Sequence, residues 1–121
     1  MIAGIGIDLC SVERIKKFCV SDVFCRRVFT ERELAYAAKR ASRFETLAGM
    51  FAVKEAFAKA TGLGLARMGL KNVEVLHDDL GRPSLKISPA AKYYDLYSNA
   101  HFFLSISHDS GFAAAVVVYE I

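Results

Sequence analysis

Asp8 and Glu55 are the residues of this 121-residue chain whose types and settings point most directly to chemistry. Glu55 lies in Phe51-Ala52-Val53-Lys54-Glu55-Ala56-Phe57-Ala58-Lys59-Ala60, inside a long run without proline. At about 100° per residue, Phe44, Leu47, Ala48, Phe51 and Ala58 share one apolar stripe, with Glu55 near its middle. An inward-pointing carboxylate is costly unless a cation answers it. Lys59, one helical turn on, is one candidate, and a metal ion is the other. Asp8 ends an apolar segment just before a helix-prone one, where an aspartate either caps a helix or holds a ligand. Two carboxylates with open positions suit Mg²⁺, which keeps waters and takes phosphate oxygens as further ligands. No thiolate or imidazole cluster of the kind zinc prefers is visible. Lys54 and Lys59 flank Glu55 and can stabilise charge developing on a transferring phosphate. Their plainer roles are an ion pair to Glu55 for Lys59 and a surface lysine with a buried stem for Lys54.

Ser105-Ile106-Ser107-His108-Asp109 is the third feature. Strand alternation puts both serines on one face and leaves His108 at the start of a turn. A hydrolytic triad is disfavoured, because triad partners converge from separate segments and no G-x-S-x-G elbow exists. His108 and the hydroxyls fit contact with a phosphate better. His77 and His101 lack comparable surroundings. Gly4-x-Gly6 lacks the third glycine and the βαβ unit of a dinucleotide fingerprint, and no Walker lysine motif occurs. A phosphate ligand must therefore be held by metal and side chains.

Several elements must position these residues. Residues 2–8 form a strand whose glycines permit close backbone approach. Ser11 caps a helix to about residue 20, and a short helix follows near 22–28. Thr30-x-x-Glu33 and Ser42-x-x-Glu45 both fit a capping box. They predict helices over 31–40 and 43–61, the second stopped by Gly62. Residues 72–77 and 84–88 form strands around a turn at Asp78-Asp79-Leu80-Gly81-Arg82-Pro83. Ser88-Pro89 opens a helix over 89–98. Residues 102–107 and 112–119 form a closing hairpin. Hairpin-linked strands with a helical insert make the fold α+β.

The length fits one domain over 1–121 with a modest core. At 54% apolar and 24% charged residues the chain is globular rather than disordered. No apolar run approaches the ~20 residues of a membrane span, and the N-terminus lacks a signal peptide's basic region. Cys10, Cys19 and Cys25 form no CxxC pair and read as reduced thiols of a cytoplasmic protein. Residues 1–43 hold nine Lys/Arg against five acids, whereas the rest holds seven against eight. That imbalance suits an acidic protein, a nucleic acid or a phosphorylated small molecule, or is an ordinary solvated face. From these residues alone three functions stand open. They are a metal-dependent group transferase, a metal-dependent phosphohydrolase or nuclease, and a non-catalytic module for an acidic partner.

Gly6-Ile7-Asp8 with Arg14-Ile15, Phe29-Thr30-Glu31-Arg32-Glu33-Leu34, Phe51 to Ala56, and Ser105 to Asp109 together resemble the 4′-phosphopantetheinyl transferases, spanning residues 4–119. The short length and G-x-D start are similar to the holo-acyl-carrier-protein synthase branch. The resemblance implies an antiparallel sheet packed with a long central helix. It also implies transfer of 4′-phosphopantetheine from coenzyme A to a serine of apo acyl carrier protein, for fatty acid biosynthesis. Adenosine 3′,5′-bisphosphate is the product. Asp8 and Glu55 match the acids that hold Mg²⁺, with Glu55 and Lys59 as catalytic residues and Lys59 beside the leaving phosphate. A metal-bound water or a carboxylate at the metal would take the serine proton. Lys54, Gly81, Arg82, Pro83 and His108 match the coenzyme A side, and Arg14, Arg26 and Arg27 the side that meets the acidic carrier. No nucleic acid or membrane partner is implied. Relatives form homotrimers with sites shared between subunits, so His108 or Gly81–Pro83 would come from the adjacent chain. One departure is Ala48-Gly49-Met50-Phe51, where the family often has arginine before Phe. If that arginine holds the 3′-phosphate, Arg40 or Arg43 must replace it, with altered coenzyme A affinity.

Overall fold

The computed structural model describes all residues, 1–121. In chain order it contains β1 (Ile2–Ser11), α1 (Val12–Phe18), α2 (Asp22–Val28), α3 (Glu31–Ala38), α4 (Arg43–Thr61) and α5 (Leu65–Met68). A 3₁₀ turn (Leu70–Asn72), β2 (Val73–His77), β3 (Pro83–Ile87), α6 (Tyr94–Tyr97), β4 (His101–Asp109) and β5 (Phe112–Glu120) follow. The architecture is α+β, as expected, with an antiparallel sheet ordered β1-β5-β4 and a separate β2-β3 hairpin. Pairing of β1 with β5 sets Asp8 opposite Ala115, and pairing of β4 with β5 sets Ile106 opposite the same residue.

Helix α4 runs over the predicted residues and stops at Gly62, which takes the left-handed conformation (φ 74°) that glycine adopts without strain. Its burial exceeds the expectation of one apolar stripe. Leu47, Ala48, Ala52, Val53, Ala56 and Phe57 are all buried, although they point around the whole circumference. The sheet covers one side of α4, and α1, α3, β2 and α5 cover the rest. Phe57 anchors a second cluster with Tyr93, Tyr97, Phe102 and Tyr119, its ring 5.0 Å from that of Phe102.

Several local expectations are corrected. Thr30 and Glu33 form the predicted capping box, but the Ser42 side chain caps nothing. Thr46 instead bonds the Ser42 carbonyl through both its backbone N–H and its hydroxyl. The helix predicted over 89–98 shrinks to Tyr94–Tyr97. Single turns precede it, Ala91 N–H to Ser88 O and Tyr94 N–H to Ala91 O, while the Tyr93 hydroxyl donates to Met68 O at 2.7 Å. Burying Ala91, Tyr93 and Tyr97 together against Phe57 overrides the local helix signal. Cys19 and Cys25, expected as free thiols, form a disulfide across the α1–α2 turn, which brings their Cα atoms within 4.8 Å. Cys10 is free and buried, its thiol pushed up to about 11, chiefly by burial. No helix is long and apolar enough to cross a membrane.

Candidate active site

Strand alternation turns Gly4, Gly6, Asp8 and Cys10 toward α4 and leaves Ile5, Ile7 and Leu9 on the opposite face. The two glycines let helix and strand backbones touch. A Cβ at Gly6 would collide with the Ala56 carbonyl oxygen, and one at Gly4 with that of Ala60. This contact brings Asp8 against the next turn of α4, which carries Glu55.

Asp8 and Glu55 are neighbours close enough for each carboxyl to feel the other's charge. The Glu55 carboxyl is pushed up to about 7, first by burial and then by the neighbouring Asp8 carboxylate. Arg14 and Lys59 pull it back. Lys59 does not pair with Glu55 in the way its spacing suggests. Its ammonium donates to the Ile7 carbonyl at 2.9 Å and lies 3.4 Å from Asp8 Oδ1. Asp8 Oδ2 is buried with no hydrogen-bond partner. An orphaned carboxylate oxygen beside a second carboxyl is the donor set a hard divalent cation takes. The residues present therefore fit Mg²⁺. No cluster of three or more His, Cys, Asp or Glu side chains occurs, so substrate oxygens and water would complete the coordination.

A second feature lies on another side of α4. A cavity of about 240 Å³ is lined by Tyr36, Arg40, His77, Gly81, Pro83 and His108, among others. Tyr36 and His77 stack with ring centroids 4.3 Å apart, and the Arg40 guanidinium lies 5.6 Å from the centre of the Tyr36 ring. Asp78 holds the β2–β3 turn by accepting from the Leu80 and Arg82 backbone N–H groups through Oδ1. His108 is still within β4, not at a turn, and its Nε2 lies 2.8 Å from the Glu45 carbonyl oxygen. Ser105 and Ser107 are exposed on the opposite face of β4, which removes any triad with His108. The cavity therefore gathers Gly81, Pro83 and His108, while the Arg82 side chain is exposed to solvent. Sequence reasoning missed Tyr36 and gave His77 no role. Their only signal was an aromatic and a histidine in segments far apart in the chain.

Neither Asp8 nor Glu55 lines this cavity. Gly49, which does, stands about 9 Å along α4 from Glu55 and roughly 120° around it. One copy of the chain thus keeps its acid pair and its cavity apart.

Lys54 is corrected from the coenzyme A side to the core. Its ammonium is fully buried and bonded to Glu33 Oε1 at 2.9 Å and to the Leu70 and Val73 carbonyls at 2.7 Å. Burial pulls its pKa below the usual lysine range, and Glu33 opposes that shift. Helical periodicity explains the location, since successive residues on α4 point about 100° apart. Met50 is also buried in the core, so an arginine there would lose its solvent. Of the two replacements, Arg40 lines the cavity, whereas Arg43 packs over the Phe44 ring outside it.

Arg14 lies over the Phe51 ring at 5.5 Å. Arg26 is engaged by Asp22 at 2.7 Å, and Arg27 lies 5.3 Å from the Phe24 ring centre. Around them Val20, Val23 and Phe24 are exposed.

Residues 4–117 match the family model of the 4′-phosphopantetheinyl transferase superfamily. A holo-[acyl-carrier-protein] synthase of Clostridium botulinum (strain Eklund 17B / Type B) is 42% identical over 100% of this chain and 99% of its own. The crystal structure of the synthase from Neisseria meningitidis superposes with a TM-score of 0.87 at 36% identity, covering 100% of both chains. The one from Bacillus anthracis str. Ames, in complex with CoA (3′,5′-ADP), gives 0.81 at 39% identity over 99% of this chain and 97% of that one. With sequence, length and fold all in agreement, the chain belongs to the 4′-phosphopantetheinyl transferase superfamily.

Proposed function

We propose that this chain transfers the 4′-phosphopantetheine arm of coenzyme A to a serine hydroxyl of apo acyl carrier protein, serving fatty acid biosynthesis in the cytoplasm. The P–O bond to the nucleotide's 5′-phosphate breaks, a P–O bond to the serine forms, and adenosine 3′,5′-bisphosphate leaves. The observation that carries this reading is the Asp8–Glu55 pair with its unpartnered buried oxygen. It lies in a chain alike over its full length to a synthase crystallised with CoA. Asp8 and Glu55 would hold Mg²⁺. When bound, that ion offsets charge on the pyrophosphate and orients the phosphorus for in-line attack. Lys59 sits beside Asp8 with its side chain more than half exposed, where its ammonium would meet the leaving phosphate. His108 and the Gly81–Pro83 turn bound the cavity that takes the nucleotide end.

The carrier would dock on the α1–α2 corner, where Arg14 and Arg27 accompany exposed apolar side chains. Arg26 contributes less, because Asp22 already holds its guanidinium. The assay is intact-mass spectrometry of apo carrier protein incubated with the chain, coenzyme A and Mg²⁺. One added phosphopantetheine, absent with chelator, is the expected result. Phosphate-ester cleavage without carrier modification would favour a hydrolase instead.

A homotrimer with shared sites completes the proposal. Ile5, Ile7 and Leu9 are 67%, 67% and 64% exposed, and Phe103, across β5 on the same sheet, is 57% exposed. So apolar a sheet face calls for a cover. A neighbouring copy seated on it would bring its own cavity to the acid pair that one copy leaves separate. Ile7→Asp is expected to give monomers by light scattering and to abolish transfer. A monomeric unaltered chain would count against the shared site.

Arg40→Gln should raise the KM for coenzyme A about 10- to 100-fold with little change in kcat, the range for one charge-assisted hydrogen bond to phosphate. Arg43→Gln should leave that KM alone, and steady-state kinetics separates the two.

A further inference from the structure

We infer that Glu33 and Lys54 form a positioning pair that sets the rotation of α4, and so the place of the Glu55 carboxylate against Asp8. This rests on the transferase reading of that acid pair. Neither residue touches the candidate site, yet both are fully buried and fully engaged. The Lys54 ammonium uses all three protons, on Glu33 Oε1, Leu70 O and Val73 O. Glu33 Oε1 also accepts from the Thr30 backbone N–H at 2.9 Å, and its Oε2 accepts from that of Val75 at 2.8 Å. One ion pair thus ties together the start of α3, the middle of α4, the 3₁₀ turn and β2.

Stability alone does not account for such a pair. A well-packed apolar replacement of a buried ion pair is often neutral or stabilising, because desolvation offsets the Coulomb gain. Directional bonds supply what apolar packing lacks. The side chains around α4 are mostly Ala, Val, Met and Phe, whose burial is non-directional and tolerates small rotations of the helix. The Lys54 bonds hold position 54 of the helix at one angle, and the next side chain, Glu55, leaves about 100° further round toward β1. A rotation of about 10° at roughly 6 Å from the helix axis displaces a carboxylate by about 1 Å. A misplacement of that size costs about a hundredfold in rate. Both sides of the same helical turn are therefore held, one by Glu33 and β2, the other by the glycine contact with β1.

The test is the double variant Glu33→Gln/Lys54→Met, which removes both charges and keeps the bulk. It is expected to fold with a melting temperature near that of the unaltered chain. Its kcat should fall about 100-fold. Its Mn²⁺ affinity, read by calorimetry without substrate, should fall about tenfold, as for other changes behind a metal ligand. Binding of adenosine 3′,5′-bisphosphate, which reports the cavity rather than the acid pair, should stay within about twofold, inside the scatter of such context-dependent effects. A folded double variant with unchanged kcat and Mn²⁺ affinity overturns the inference. So does an activity loss that merely tracks the unfolded fraction. If the double variant does not fold, Glu33→Asp carries the same readings, since it keeps the charge and withdraws it by one methylene. An unaltered chain that neither transfers nor binds Mn²⁺ overturns the transferase reading itself. An active chain with an insensitive variant overturns the positioning role alone.

Discussion

Glu55→Gln is expected to lower carrier modification by about 10³-fold, the scale for removing one charge-stabilising group from a preorganised site. The substitution keeps the shape of the side chain and removes its charge. It therefore removes a candidate metal ligand without opening a cavity. It also removes the like-charge opposition to Asp8 that, with burial, pushes the Glu55 carboxyl up to about 7. The melting temperature should accordingly hold or rise while activity collapses. A variant that lost activity through misfolding would show the opposite sign. Single-turnover mass spectrometry alongside thermal unfolding separates the cases. Transfer within tenfold of the unaltered chain would take Glu55 out of the catalytic site.

Gly6→Ala should produce the largest structural effect of any single methyl group in the chain. The added Cβ meets the Ala56 carbonyl and the Ala60 backbone nitrogen, both part of α4 itself. No flexible side chain can yield, so α4 must lift from β1. Overpacking of this kind costs about 1–3 kcal/mol or more. For a domain of this size that is a fall of roughly 10 °C in Tm at the upper end. Lifting α4 also carries Glu55 away from Asp8, and a shift of about 1 Å there is worth about a hundredfold in rate. Residual activity per folded molecule should therefore drop as well as stability. Unchanged Tm and unchanged transfer would mean that helix and strand do not touch through backbone at this point.

The two acids were legible as chemistry because their setting is local. Asp8 is the one charged residue in an otherwise apolar strand, and Glu55 interrupts an apolar helical run. The bounds of α4 were legible for the same reason, since a proline-free periodic stretch ended by Gly62 is written in neighbouring residues. So were both hairpins, whose turns carry glycine at the positive-φ positions Gly81 and Gly111. The basic excess of the first third fitted an anionic partner and an ordinary solvated face alike, and composition could not choose between them.

What stayed illegible depended on partners far apart in the chain. Periodicity assigns Lys54 a direction but cannot say that Glu33, 21 residues earlier, waits there with β2 behind it. Tyr36, His77 and His108 come from three elements and meet only once β2 packs against α3 and β4 against α4. The helix expected after Ser88 gave way because burying three side chains against Phe57 outweighed a local cap signal. By itself the sequence determined which side chains carry charge, where the backbone bends and where helix and strand can touch. Only the tertiary structure decided which of those charges end up paired in the core and which remain open to a ligand. Burial is a property of the whole packed chain, and burial sets the cost of leaving a charge alone.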